Sequence, residues 1–266
     1  MTQNRRLTRV EVAALAVVLI ALTVAATATV VRLRYQDRYV SAYDPLKHEL
    51  RAKYGPSQFS QFGEEWIIRD FFQDRRNGVF LDVGSSHHQQ FNNTYYLETV
   101  LGWSGIAVDA LHEFAKGYEA NRPRTRFVAM FASDVADSTV QFFVPDNHQV
   151  SSSDPAFARK GGGTPAARVV PTTTLNALLD AAKITKVDFL SMDIELAEPK
   201  ALAGFDIDRF RPDLVCIEAQ PEVRQQILDY FDRHGYVVVG KYLRVDPHNL
   251  YFKPSPERQE PLEPTN

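Results

Sequence analysis

Short apolar segments recur along this chain, and four of them stop on a carboxylate: VFLD at Asp82, GIAVD at Asp109, FLSMD at Asp193 and LVCIE at Glu218. Runs of four to six apolar residues read as strands buried on both faces. Between them lie stretches with apolar residues at helical spacing, such as GEEWIIRDFF from Gly63 and PEVRQQILDYFDRHG from Pro221. Strand and helix in alternation predict an α/β domain, a mostly parallel sheet with helices on both faces. In such a sheet the carboxyl ends of the strands share one edge, and ligands bind there. Acids gathered at that edge therefore mark a site.

Further strands are expected at RFVAMFASD, which Asp134 closes, at STVQFFVP, and at YVVVG and NLYFK near the end. Ser151–Asp154 opens a stretch without a strand pattern that runs to Val170 and contains KGGG. A loop of that length is expected to act as a lid or to touch substrate.

The first part of the chain is different. Residues 12–31 form an uncharged run of 20 residues, VAALAVVLIALTVAATATVV. About 20 apolar residues span a bilayer core as a helix, so this run predicts one transmembrane anchor. The small residues at 25–28 leave a cleaved signal peptide as its rival. Arg5, Arg6 and Arg9 precede the run, and Arg32, Arg34 and Arg38 follow it, so charge does not orient it. The expected organisation is a short segment 1–11, the anchor 12–31, a stalk or linker 32–56, a folded domain 57–253 and a disordered tail 254–266.

The net charge of −3 carries no basic field for nucleic acid. With Cys216 as the only cysteine, disulfide scaffolds and Cys-x-x-Cys zinc sites are excluded. The turn DVGSS after the first strand lacks the G-x-G-x-x-G fingerprint, so a dinucleotide phosphate cradle is disfavoured. An acid about 25 residues further on, Asp109, matches a ribose-hydroxyl acceptor. A nucleoside without phosphates suits both observations, and S-adenosylmethionine is such a ligand.

The segments SQFGEEWIIRDFF, GVFLDVGSS, NNTYYLETVLGWSGIAVDA, TTTLNALL and VDFLSMDIELAEPKALAGFD follow one another as they do in the FkbM-type methyltransferases, which the chain resembles over nearly all of residues 57–252. The resemblance is specific through Asn93-Thr94, Leu97-Glu98, Gly102-Trp103 and Gly105-Ile106. It implies a class I methyltransferase, Rossmann-like fold, an S-adenosylmethionine cofactor and O-methyl transfer to a hydroxyl of a sugar, glycolipid or related small molecule. There are two departures from the family pattern. Asp109 stands where the family has glutamate, and Leu196 replaces the glycine of Asp-x-Glu-Gly-x-Glu.

On that reading Asp82 and Gly84 hold the amino-acid end of the cofactor, Asp109 the ribose and Asp134 the adenine edge. Asp193 is the expected polar catalytic group. His87 or His88 is a candidate base, because histidine titrates near neutrality. Asp193 and Glu195, two residues apart, offer a carboxylate pair to a divalent cation or to an acceptor hydroxyl, but the sequence names no complete ligand set. Because the cofactor is made in the cytosol, the domain of this single-pass protein is expected to be cytoplasmic. The alternative is a catalytically inactive FkbM-like binding or trafficking module. Asn92-Asn93-Thr94 is formally a glycosylation sequon, and its place in the motif argues for an internal role.

Overall fold

The computed structural model describes residues 44–256. The chain divides into two compact units, 1–48 and 49–266. Of the first, only Asp44–His48 are described, and the expected anchor at 12–31 lies outside the described residues, as does most of the expected tail. Among the described residues no helix is long and apolar enough to cross a membrane.

The second unit is built on a seven-stranded sheet. Its members are β1 (Val79–Val83), β2 (Ser104–Asp109), β3 (Thr125–Ala129), β7 (Phe189–Met192), β8 (Leu214–Glu218), β9 (Tyr236–Val238) and β10 (Asn249–Pro254). The spatial order is β3-β2-β1-β7-β8-β10-β9. Strands β3, β2, β1, β7 and β8 are all parallel, and β10 runs antiparallel to both β8 and β9. This is the class I methyltransferase-like α/β arrangement that the resemblance implied.

Alternation along each strand decides which helices it meets. Leu81, Val83, Ile106, Val108, Leu190, Met192, Val215 and Ile217 point to one face and are buried. They pack with Leu175, Leu178 and Leu179 of the helix Leu175–Ala181 and with Ile227 and Phe231 of the helix Arg224–Arg233. Burying each such side chain stabilises by roughly 1.5–3 kcal/mol. On the other face Phe72, from the helix Glu64–Phe72, makes edge contacts with Trp103 and Phe189.

Two expectations fail in the middle of the chain. RFVAMFASD is not one strand: the chain bends at Met130, whose N–H donates to Val128 O at 3.1 Å. Beyond the bend, β4 (Phe131–Ala132) leaves the main sheet. It joins β5 (Thr139–Val144) and β6 (Ala166–Thr173) in a second, three-stranded sheet of order β4-β6-β5. The segment expected to be loop as far as Val170 thus ends in an eight-residue strand. At Pro171, which has no N–H to give, β6 has a strand partner only in β5, because β4 pairs with Thr172 and Thr173 alone.

Candidate active site at the carboxyl edge of the sheet

Strands β1, β2, β7 and β8 deliver their acids to one edge, and two cavities open between them. The first, about 520 Å3, has apolar walls in Val108, Leu111, Phe131, Ala132 and Phe142, with Asp109 on one side. The second, about 410 Å3, is lined by Gln61, Glu64, Asp82, Asn93, Ser191 and Asn249. Val83, Gly84 and Asp193 belong to both, so the cavities meet where β1 and β7 end.

Gly84 makes that junction possible. It sits at φ +82°, and a Cβ there would overlap the Asp193 carbonyl. Only glycine allows the two strand ends to pass so closely while turning through left-handed backbone.

Asp109 is fixed by its own turns: Oδ2 accepts the Ser86 N–H at 2.9 Å and Oδ1 the Leu111 N–H at 2.8 Å. A carboxylate has about four lone-pair sites, so each oxygen keeps acceptor capacity toward the cavity. Burial pushes its carboxyl up to about 6, against the pull of those two N–H groups. Asp82 is buried and accepts the Thr94 hydroxyl at 2.8 Å; burial raises it as well, to about 6, although Thr94 and Arg122 act the other way.

Behind Asp82 lies a buried polar network that accounts for the motif Asn92 to Gly105. Arg122 pairs with Glu98, and both are shielded from solvent. Arg122 also donates to the His88 carbonyl, to Asn92 Oδ1 and to Thr94 Oγ1. Asn92 in turn donates to the carbonyls of Ser85 and His87 and to the Tyr118 hydroxyl. A buried charge pair persists only when its remaining donors and acceptors are satisfied, and here that requirement holds the loop after β1 in place. Asn92 is 2% exposed, so the sequon has an internal role.

The histidines do not face either cavity. His87 Nδ1 accepts the N–H groups of Gln89 and Gln90, closing its own turn. The His88 ring rests against the backbone of Gly117 and beside Tyr118. Burial, His87 and Arg122 all depress its basicity. The reason is the backbone: Gly84 and Ser86 both have positive φ, which turns the chain away from the sheet edge before His87. Asp134 is also outside both cavities. It is exposed, accepts the Ser133 hydroxyl at 2.9 Å and lies 3.9 Å from Lys200. The apolar wall is made instead by Phe131 and Ala132, the residues of β4.

Asp193 stands at the junction, with Glu195, Glu198 and Glu218 close by. Glu195 and Leu196 have consecutive positive φ values of 53° and 79°. Leu196 therefore holds left-handed backbone that a glycine would adopt without strain, at a cost on the order of 1–2 kcal/mol. The turn places Glu198 at the start of the helix Glu198–Ala203, and its Oε1 accepts the Ile194 N–H at 2.9 Å. Burial first and neighbouring carboxylates next raise all four acids: Asp193 well above the carboxylate range, Glu195 to about 10, and Glu198 and Glu218 to about 7. Although Asp193 as a residue keeps exposed surface toward the cavities, its carboxyl group is packed among the strand ends with Glu218 facing it, and that enclosure is what raises it.

Sequence reasoning missed several residues of this edge. Glu64 lines the second cavity, and burial together with Asp246 pushes it to about 7. His148, Gln149 and Ser151 reach the first cavity from the segment after β5. Ser151 is the one residue of Ser151–Asp154 in that lining, and the Ser152 hydroxyl donates to the Glu195 carbonyl at 2.6 Å, tying the segment to the junction.

A family model described as "Methyltransferase FkbM domain" matches residues 82–238. No curated protein matches the chain. Solved structures that resemble it include a TehB-like SAM-dependent methyltransferase from Corynebacterium glutamicum, at 14% identity and a TM-score of 0.41 over 81% of this chain and 98% of that one. A precorrin-6y C5,15-methyltransferase from Geobacter metallireducens aligns at 10% identity and a TM-score of 0.36 over 65% and 70%. A 1,6-didemethyltoxoflavin-N1-methyltransferase from Burkholderia thailandensis, solved with 1,6-didemethyltoxoflavin and S-adenosylhomocysteine, aligns at 13% identity and a TM-score of 0.33 over 96% and 93%.

Proposed function

The chain belongs to the FkbM methyltransferase family, and on that premise we propose that it uses S-adenosylmethionine to methylate a hydroxyl of a sugar, glycolipid or related small molecule. The observation that carries the reading is the pair of unlike cavities joined at Gly84 and Asp193. The donor set fits the cofactor. Apolar walls suit a purine, the spare lone pairs of Asp109 suit ribose hydroxyls, and the acids around the junction suit a sulfonium and an ammonium. When bound, S-adenosylmethionine supplies an electrophilic methyl group and leaves as the neutral thioether.

The protein's own part is to position, to exclude water and to take a proton. Phe131 and Phe142, buried in one cluster with Leu111, close the purine side. An attacking hydroxyl must lose its proton as the carbon–oxygen bond forms. Asp193 takes that proton in this reading. Its place supports the role: Asp193 lines both cavities where they meet, within reach of an acceptor lying between them. His87 and His88 have no part in the step.

The run at 12–31 anchors the enzyme as a single-pass protein with its domain on the cytosolic side. Protease added outside sealed cells is expected to spare the domain; digestion would move it to the far side. For the activity, the test is calorimetric titration with S-adenosylmethionine followed by labelled-methyl transfer to a panel of glycans, glycolipids and small polyols. Saturable cofactor binding with methyl transfer to a hydroxyl supports the reading. Absence of cofactor binding in a folded protein refutes it.

A further inference from the structure

The acids at the junction do more than surround it. One oxygen each from Asp193, Glu198 and Glu218 lies within 4.8 Å of the others. The three come from different places: the end of β7, the first residue of the helix Glu198–Ala203 and the end of β8. Glu198 has no exposed surface, its Oε1 is taken by the Ile194 N–H, and its Oε2 has no partner. Glu218 repeats the pattern, with Oε1 accepting the Gln220 amide at 2.8 Å and Oε2 buried without a partner. Glu195 Oε2 is a third such atom. Among the described residues no lysine, arginine or histidine pairs with these acids; Lys200, on the same helix as Glu198, reaches outward to Asp134.

A buried carboxylate without a counter-charge takes a proton or holds a cation. Protons shared among Asp193, Glu195 and Glu218 could pair those acids with one another, but they leave the wholly buried Glu198 Oε2 without a partner. A cation ligated by several of them at once answers the whole set. The spacing agrees: opposite ligands of an octahedral magnesium or manganese ion are about 4.2 Å apart, and those of calcium about 4.8 Å. Oxygen-only ligands select hard cations over zinc or copper.

We propose that Asp193, Glu198 and Glu218 bind one divalent cation of the magnesium, manganese and calcium class, each through one oxygen, with Glu195 beside it and the second Asp193 oxygen left for the acceptor's proton. Asp193 lines both cavities and Glu195 the first, so the ion lies at their junction and its remaining positions open toward the acceptor. An acceptor with a hydroxyl able to bind the ion, above all a vicinal diol, is favoured. This last point rests on the methyltransferase reading; ion binding does not.

The test is a titration of the full-length chain with Mn2+, followed by electron paramagnetic resonance and calorimetry in buffers of different ionisation enthalpy. We expect one saturable Mn2+ per chain, displaced by Mg2+ or Ca2+. Because a carboxylate must shed any proton it holds before it can ligate the ion, binding releases protons and weakens as pH falls. Glu198→Gln and Glu218→Gln should each weaken Mn2+ at least tenfold while melting, without metal, no lower than wild type. Wild type showing no saturable site at ~1 mM Mn2+, the weak end of natural oxygen-ligand sites, overturns the proposal. So does Mn2+ binding that both variants leave unchanged. S-adenosylmethionine titrated separately distinguishes the two claims: Mn2+ bound without the cofactor keeps the ion site and removes the methyltransferase reading.

Discussion

The two cavities at this edge are built from opposite materials although the same residues join them. One is walled largely by β4, β5 and the segment after β2, and its one carboxylate away from the junction, Asp109, is held by two backbone N–H groups. The other is polar almost throughout, with Glu64, Asp82 and the amides of Asn93 and Asn249. An apolar slot with one fixed acceptor recognises a shape and one pair of hydroxyls. A polar slot with charges raised toward neutrality recognises charge and exchanges protons. The contrast assigns holding to the first cavity and chemistry to the second, with Asp193 at the boundary.

The sharpest way to break that division is at the boundary. Asp193→Asn keeps the shape and removes the proton acceptor. Methyl transfer should fall by roughly 10²–10⁴-fold, while cofactor affinity measured by calorimetry changes only a few-fold. Equal losses in both would place Asp193 in the holding half.

The polar half also makes a pH prediction. Glu64 binds its proton more tightly in the folded protein, near 7 against an ordinary 4.5. Its stabilising contribution is therefore complete below about 4.5 and is lost as pH rises through 7. The gap is worth about 3 kcal/mol. Thermal melts should show the metal-free protein more stable at pH 5 than at pH 8, and Glu64→Gln should recover much of the difference at pH 8 while matching wild type at pH 5. A flat profile would mean that Glu64 is ionised and paired.

The apolar half should respond to Asp109→Ala with a loss of cofactor affinity of roughly 1.5–3 kcal/mol. The same change leaves the Ser86 and Leu111 N–H groups without partners, so a stability loss of about 1–2 kcal/mol accompanies it. Asp109→Asn keeps part of that turn and separates the two effects. The smallest effect is expected at Asp134→Ala, less than about 0.5 kcal/mol on stability, with cofactor affinity unchanged within error. A loss comparable to that at Asp109 would show that the apolar cavity closes onto Asp134 when filled.

The strand-end acids were legible because a parallel sheet needs apolar runs, and a polar residue closing such a run stands out. Asp82, Asp109, Asp193 and Glu218 all emerged at one edge for that reason. The role of Glu198 was less visible, since it opens a helix three residues after Glu195 and reads as a helix-start acid. Where His87 and His88 point was not legible, because composition shows that a histidine is present but not where a turn aims it; the chain turns at positive φ at Ser86, and neither histidine lines a cavity. The second sheet was hidden by Pro171, which argues against a strand unless one side of the strand is free of partners. Leu196 is the reverse case: a leucine gives no sign of left-handed backbone, and φ there is nevertheless 79°.

β10 lies between β8 and β9 in space, yet the ribosome makes it after both. During synthesis the edge of β8 therefore emerges with its partner still missing, carrying Val215 and Ile217 on one side and Cys216 on the other. The helix Arg224–Arg233 and β9 must wait beside that gap until residues 249–254 arrive to fill it. The sheet closes last through Leu250, Tyr251 and Phe252, each at most 1% exposed once in place. A nascent chain in which residues 249–254 have not yet docked presents the unpaired edge of β8 to its neighbours, a template for pairing with another chain.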